Sequence, residues 1–301
     1  MSPGEFRHNA LTPRSTAEGA CAARALGALE RDVAIRCPDE MAARLLGGLN
    51  ITTLAKHRMT RRLLLRAARH RRPGAYTYEI ARTKFIDEIV LAEAAAGLDE
   101  LILLGAGLDS RAYRLVDQLG GARVIEVDHP ATQASKRARV RRLFGTEPEH
   151  VSYVAVDLTR DDLAGTLSAA GHDHCARALF VWAGVSFYLP ERAVARLLAF
   201  VAAHGNPRTS IAFDALWRGA VTGTHDYYGA AELRHAVAKR GEPLRWGIPE
   251  GRLHETLARF GVRPAQTIDS MQARTAYLTR SDGTMHDPPY GCAILIHARG
   301  R

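Results

Sequence analysis

The sequence has little of what holds a fold together from outside. It contains four cysteines, Cys21, Cys37, Cys175 and Cys292, and none forms a CxxC pair. That excludes a disulfide framework, and no His/Cys cluster has zinc spacing, so no metal is expected. The thiols read as the reduced cysteines of a cytoplasmic protein. No run of 18 apolar residues occurs, so no membrane-spanning helix is expected. The start, Met1 to Glu18, is polar and lacks the apolar core of a secretory leader. There is no internal repeat and no linker. Aromatics make up 7%, and no aromatic-rich strand offers a surface for stacking bases.

What is present suits an α/β core. Hydrophobic residues are 47% of 301, enough to bury one large domain without disulfides or metal. The net charge is +9. One basic cluster runs from Lys56 to Arg72 and a second comprises Lys136, Arg137, Arg139, Arg141 and Arg142. A nucleic-acid footprint is one reading. Solvated faces of amphipathic helices are the preferred one, because Leu63, Leu64, Leu65 and Ala68 interleave with the first cluster.

Residues 1–17 have the composition of a disordered start. Residues 18–96 read as a helical cap, with helices near 18–36, 39–48, 51–71 and 78–96, punctuated by Pro38, Asn50 and Pro73-Gly74. From residue 97 the pattern changes to a catalytic domain running to 301. Strands are predicted at 101–105, 123–127, 151–156, 178–183 and 209–214. Helices fall between them near 110–118, 130–143, 160–170 and 190–204. This alternation predicts a parallel, doubly wound sheet with its ligand at the carboxyl ends of the strands, beside the first. A helix near 250–260 precedes β-rich stretches at 264–268, 274–279 and 291–298, which predict a hairpin closing the sheet with an antiparallel edge strand.

Gly105-Ala106-Gly107 follows the first strand and opens a helix, where glycines let backbone approach a ligand. A dinucleotide fingerprint would place a third glycine at Ser110. Asp109 would also repel a pyrophosphate. The loop therefore suits a ligand without phosphates, such as S-adenosylmethionine (SAM). Asp128, just past the second strand, is placed to accept from both ribose hydroxyls, and Glu126 shares its strand face. Asp157 and Leu158 end the third strand, where an acid accepts from an adenine amino group and an apolar side chain covers the ring. Arg82, in the helix before the sheet, is able to clamp a carboxylate.

Taken together, RTKFID (82–87), LGAGLDSRAYRL (104–115), EVDHPATQASKR (126–137), VDL (156–158), WAGVSFYLP (182–190) and GEPLRWGIP (241–249) resemble the leucine carboxyl methyltransferase-like family. The likeness is greatest to its bacterial branch, which includes polyketide O-methyltransferases. It implies a Rossmann-like class I methyltransferase with a seven-stranded sheet and an antiparallel last strand. It also implies that Arg82 holds the SAM carboxylate, Gly105 and Gly107 line the amino-acid part, Asp128 the ribose, and Asp157 with Leu158 the adenine. Tyr188 would face the methyl-transfer cavity. At Ala183, in Trp182-Ala183-Gly184-Val185, the family usually has a glutamate beside the amino-acid end of SAM.

The expectation is a SAM-dependent O-methyltransferase acting on a carboxylate or acidic hydroxyl of a small molecule, as in bacterial natural-product biosynthesis. A carboxylate acceptor is ionised at pH 7 and needs no general base, so no catalytic residue is assigned. The segment 216–247, with Trp217, Tyr227, Tyr228, Arg245 and Trp246, is expected to shape the acceptor pocket. Tyr227 would contact substrate and Arg245 would hold an anion. Rival readings are a protein or RNA methyltransferase docking through the basic helix, and a SAM-binding protein without turnover. A nicotinamide oxidoreductase is disfavoured by Asp109 and the absent third glycine. Asp287-Pro288-Pro289-Tyr290 spells the motif of adenine amino methyltransferases, but only 11 residues follow it; it reads as a turn feeding the last strand.

Overall fold

A computed structural model describes residues 16–47 and 57–300. The expected disorder of residues 1–15, the start of the predicted 51–71 helix and Lys56 lie outside the described residues.

Five strands alternate with helices. They are β1 (Glu100–Leu104), β2 (Arg123–Asp128), β3 (Val151–Ala155), β4 (Ala178–Trp182) and β5 (Ser210–Leu216). With β6 (Val262–Asp269) and β7 (Ala293–Gly300) they form one sheet in the order β3-β2-β1-β4-β5-β7-β6. The first five pair in parallel. β1, β4 and β5 are buried along their whole length, as continuous apolar strands covered on both faces must be.

Side chains alternate between two cores. Leu101, Leu103, Leu179 and Val181 face one, while Ile102, Leu104, Phe180 and Trp182 face the other. The first core also takes in Cys21, Ala25, Ala42 and Leu45 of α1 (Thr16–Gly27) and α2 (Ala42–Leu46), so the N-terminal helices pack into the same core as the sheet. Between them runs α4 (Ala75–Ala95), which follows α3 (Arg58–Arg71) and is buried on nearly every side. The remaining helices are α5 (Arg111–Arg114), α6 (Pro130–Phe144), α7 (Leu163–Ala169), α8 (Glu191–Ala202), α9 (Arg218–Thr222), α10 (Ala230–Ala238), α11 (Leu253–Arg259) and α12 (Ser270–Tyr277). Among the described residues no helix is long and apolar enough to cross a membrane.

Several expectations need correction. Thr16 and Ala17 are helical, and the first helix stops at Gly27 rather than near residue 36. The Gly27 carbonyl accepts from the Glu30 and Cys37 N–H groups instead of from a further helical turn, and Cys37 packs directly against Gly27. The predicted strand at 274–279 is mostly the helix α12. Asp269 accepts from the Gln272 N–H and the Gln272 side chain accepts from the Asp269 N–H, a capping box that outweighs the alternating pattern. The antiparallel last strand is not at the edge: β7 lies between β5 and β6. Its residues 293–298 are buried, whereas β6 carries exposed positions and a register shift between Pro264 and Gln266, which suits an edge.

The basic clusters are also partly reassigned. On α3, Leu64 and Leu65 turn inward and Arg62, Arg66 and Arg71 face out, but Leu63 is exposed. Lys136 is not on a solvated face; it is buried against Glu126 at 2.8 Å. Arg139 reaches the N-terminal helices, donating to Glu18 at 2.5 Å and to the Leu45 carbonyl at 3.0 Å. Much of the positive charge therefore binds the chain to itself.

Candidate active site

The strand order reverses between β1 and β4, and the crevice at their carboxyl ends is the expected ligand position. A cavity of about 500 Å³ opens there. Its floor is the β1 turn, from Leu104 to Asp109, and the end of β4, from Ala183 to Val185. Its walls come from α1, α3, α4 and α10.

The β1 turn requires glycine. Gly105 has φ +63°, and a Cβ there would lie 2.6 Å from Val185 Cγ2. The next turn, at Gly184, has φ +72° and a Cβ would collide with the Arg82 guanidinium. The two glycines let the ends of β1 and β4 meet beneath Arg82.

Arg82 is 5% exposed and lines the cavity. It donates to both Glu79 oxygens at 2.7 and 2.6 Å, and to Asp214 Oδ2 at 2.9 Å. Asp214, at 0% exposure, also accepts from the Gly184 N–H at 2.6 Å and from the Tyr78 hydroxyl. Burial, followed by the Asp214 carboxylate, pushes the Tyr78 hydroxyl well above its usual range, which keeps it a donor. Burial opposes the charge on Arg82, but Glu79 and Asp214 more than offset it. Glu79 also faces the Arg24 guanidinium at 3.7 Å, so two cations and two carboxylates share this buried cluster. Ala183 lines the same region, so Glu79 and Asp214 supply negative charge where the residue at 183 has none.

Asp128 ends β2 and accepts from the Gly107 N–H at 2.5 Å and the His129 N–H at 2.7 Å. Burial raises its pKa, and those two donors pull the other way. Burial also disfavours the charged form of Asp109, yet Arg111, Lys136 and Arg24 hold its carboxyl well below the usual range. Its oxygens are taken by Arg111, so Asp109 stiffens the turn rather than awaiting a ligand.

The structure sorts the expected residues. Arg82, Gly105, Gly107, Ala183 and Tyr188 line one cavity, and Asp128 is hydrogen-bonded to its wall. Asp157 and Leu158 lie outside that wall at the end of β3. There Asp157 accepts from Thr159 N at 2.8 Å and Leu158 borders a separate small depression. Tyr227 and Arg245 do not line the cavity. Tyr227 donates to Glu250 at 3.1 Å, and Arg245 is exposed with its N–H on the Phe187 carbonyl. The buried neighbour Trp246 anchors that segment in the second core and leaves Arg245 facing outward. The expected segment reaches the cavity through Leu216, Leu233, Ala236, Val237 and Arg240 instead.

Glu79 and Asp214 are lining or pairing residues that the motifs did not single out, and Tyr290 lines the cavity although its motif reads as a turn. Glu79 was readable as an i,i+3 partner of Arg82. Asp214 was readable as a charge inside an apolar strand. Tyr290 belongs to the Pro-Pro segment that feeds β7, but its ring is buried in the cavity wall 5.2 Å from that of Tyr78.

Comparison with known proteins agrees with this geometry. The family model for leucine carboxyl methyltransferase matches residues 17–202. The chain belongs to the leucine carboxyl methyltransferase family. A relative from Streptomyces avermitilis, described as an inferred S-adenosyl-L-methionine-dependent methyltransferase, is 33% identical over 216 residues, 69% of this chain and 75% of its own. One from Frankia alni with the same description is 29% identical over 280 residues, 90% of this chain and 95% of its own. Among solved structures, an inferred methyltransferase from Thermobifida fusca superposes with a TM-score of 0.55 at 18% identity, covering 92% of this chain and 97% of that one. A duf574 family protein from Streptomyces avermitilis gives 0.57 at 15%, covering 80% and 91%. These two share the fold. The chain is a SAM-dependent methyltransferase of Rossmann-like architecture.

Proposed function

We propose that this family member methylates a carboxylate on a small, largely apolar molecule. The observation that carries the proposal is a pair of cations in the upper cavity. Arg72 and Arg240 both line it, with Arg71 beside them, and among the described residues none of the three has a carboxylate partner. Burial and then the charge of Arg240 lower the Arg72 pKa, so the two cations feel each other and an anion between them relieves both. Around them lie Leu64, Ala67, Ala68, Leu233 and Val237, a wall for an apolar body.

The residues divide the work by position. Arg82, with Glu79 and Asp214, suits the amino-acid end of SAM; Gly105 and Gly107 suit the backbone beside it, and Asp128 the ribose. Asp157 and Leu158 are proposed for the adenine on the open side of β3. When bound, SAM supplies an electrophilic methyl group on a sulfonium. Tyr188 lines the cavity and is proposed to face the methyl-transfer position; burial, then Glu242, raises its pKa, so it remains a hydroxyl donor. The protein's contribution is to position the acceptor oxygen and exclude water. A general base is unnecessary, since the acceptor is already ionised. Helices α1 and α3 form the cavity's outer wall and are proposed as its lid, within a cap over residues 18–96 on a SAM-binding domain from 97 onward.

A small-molecule acceptor, rather than nucleic acid, is favoured by the largely apolar lining of the cavity and by the internal pairing of the second basic cluster. The resemblance to polyketide O-methyltransferases supports a role in bacterial natural-product biosynthesis. The four free cysteines, three of them buried, support a cytoplasmic location.

The test is incubation with labelled SAM and a panel of amphipathic carboxylic acids and phenols. Methyl transfer to acids, giving products that mild alkali hydrolyses, supports the proposal. Alkali-stable products confined to the phenols would replace it with hydroxyl methylation.

A further inference from the structure

A second cluster of chemistry lies at the opposite end of the sheet. His172 stands between α7 and β4, and His204 between α8 and β5. They meet at the amino ends of the strands, whereas the cavity opens at the carboxyl ends. His174 completes a group of three in which one ring nitrogen of each lies within 4.8 Å of those of the other two.

Two of these imidazoles are already oriented. His172 is 9% exposed, and its Nδ1 is hydrogen-bonded to Glu100, the first residue of β1. His204 is 8% exposed, and its Nδ1 is 3.0 Å from the Thr209 hydroxyl. In both rings Nε2 is buried and has no hydrogen-bond partner. A buried ring nitrogen without a partner is costly, and two in one cluster call for a physical explanation. His174 is exposed, with its ring centroid 4.7 Å from that of His204.

We propose that His172, His174 and His204 form a binding site for a divalent transition metal, zinc being the ion they suit best. Imidazoles suit zinc, copper and nickel, while the absence of carboxylate oxygens from the set disfavours magnesium and calcium. The pairing of His172 with Glu100 is the arrangement that orients metal-ligating histidines: a carboxylate holds one ring nitrogen and leaves the other for the ion.

Tetrahedral zinc with bonds of about 2.0–2.1 Å needs ligand nitrogens about 3.3 Å apart, so the three rings, whose nitrogens lie within 4.8 Å of one another, would draw closer on binding. Water fills the fourth position from the exposed side. The backbone around the site is already tied: the Gly205 N–H donates to the His174 carbonyl at 3.0 Å, and Asn206 Nδ2 to the Cys175 carbonyl at 3.1 Å. The ion would clip the loop before β4 to the loop before β5. Its role is therefore structural, separate from methyl transfer. The expectation of no metal counted spacing along the chain, and these three ligands converge only in the fold.

The experiment uses the full chain without an affinity tag, stripped with a chelator and titrated with zinc against a chromogenic competitor. One zinc per chain should bind, with a rise in Tm. His174→Ala removes an exposed ring that packs no core, so it should fold normally, and should bind zinc at least 10-fold more weakly with no rise in Tm. Glu100→Gln should weaken binding about 10- to 100-fold. S-adenosylhomocysteine affinity should be the same in His174→Ala as in the parent, since the two sites are at opposite ends of the strands. Failure of the parent chain to retain zinc through gel filtration would overturn the site. So would a His174→Ala protein that binds zinc as tightly as the parent.

Discussion

Arg82 donates to Asp214 across 2.9 Å, joining a helix that precedes the sheet to its fifth strand, 132 residues later. Arg82 and Glu79 line the cavity with Asp214 behind them, and both members of the pair are buried. Removing one member of a buried pair strands the other. Arg82→Ala should therefore destabilise the chain by about 3–5 kcal/mol. It should also weaken S-adenosylhomocysteine binding by roughly 10-fold or more. Differential scanning calorimetry and titration calorimetry read the two effects separately; a stable variant with unchanged affinity would show that Arg82 does neither.

Asp128 accepts two backbone N–H groups and is proposed to accept from the ribose with its remaining lone pairs. Asp128→Ala should weaken cofactor binding roughly 10- to 150-fold, the range for charge-assisted hydrogen bonds of about 1.5–3 kcal/mol. Equilibrium binding of S-adenosylhomocysteine checks it, and a change below twofold would remove Asp128 from the site.

Gly105 has φ +63° with Val185 against its Cα. Gly105→Ala should cost about 1–2 kcal/mol from the left-handed backbone alone. Displacing Val185 adds to that and narrows the cavity. Thermal melts with and without cofactor should show a lower Tm and a smaller cofactor-induced rise.

The acceptor proposal turns on Arg72 and Arg240. Replacing either with alanine should raise KM for a carboxylate acceptor while leaving kcat and cofactor affinity near those of the parent. High salt should shrink the difference between parent and variant, because partly exposed charges are screened. Steady-state kinetics at two ionic strengths are sufficient, and a fall in kcat with constant KM would refute a binding role.

Ala183 lines the same cavity as Glu79. Ala183→Glu adds a carboxylate beside Glu79 and Arg82, and it narrows the acceptor's approach. The expected result is a higher KM for an anionic acceptor together with tighter cofactor binding. Should both constants improve, position 183 would not be limiting the acceptor.

Much of the fold was legible because its causes are local. The first five strands are short apolar runs closed by turns, and each falls within two residues of its expected bounds. Gly105 and Gly107 line the cavity because they follow the first strand, and Asp128 binds the Gly107 N–H from the end of the second. The predicted strand at 274–279 went wrong for a local reason too: a single aspartate–glutamine capping box outweighed an alternating pattern.

What the sequence by itself determined is therefore the parallel sheet, its glycine turn and the placing of Arg82 on the helix before it. Periodicity and turn chemistry act over a few residues and are written along the chain. Only the tertiary structure decided which charges face one another. Asp214 meets Arg82 and Tyr78, and Tyr290 enters the cavity wall. Lys136 is buried against Glu126, while Arg245 turns outward because Trp246 beside it is buried. His172 and His204 come together only because β4 and β5 are adjacent. Those pairings depend on which strand lies beside which, and a buried charge or imidazole takes whatever partner the packing brings within reach.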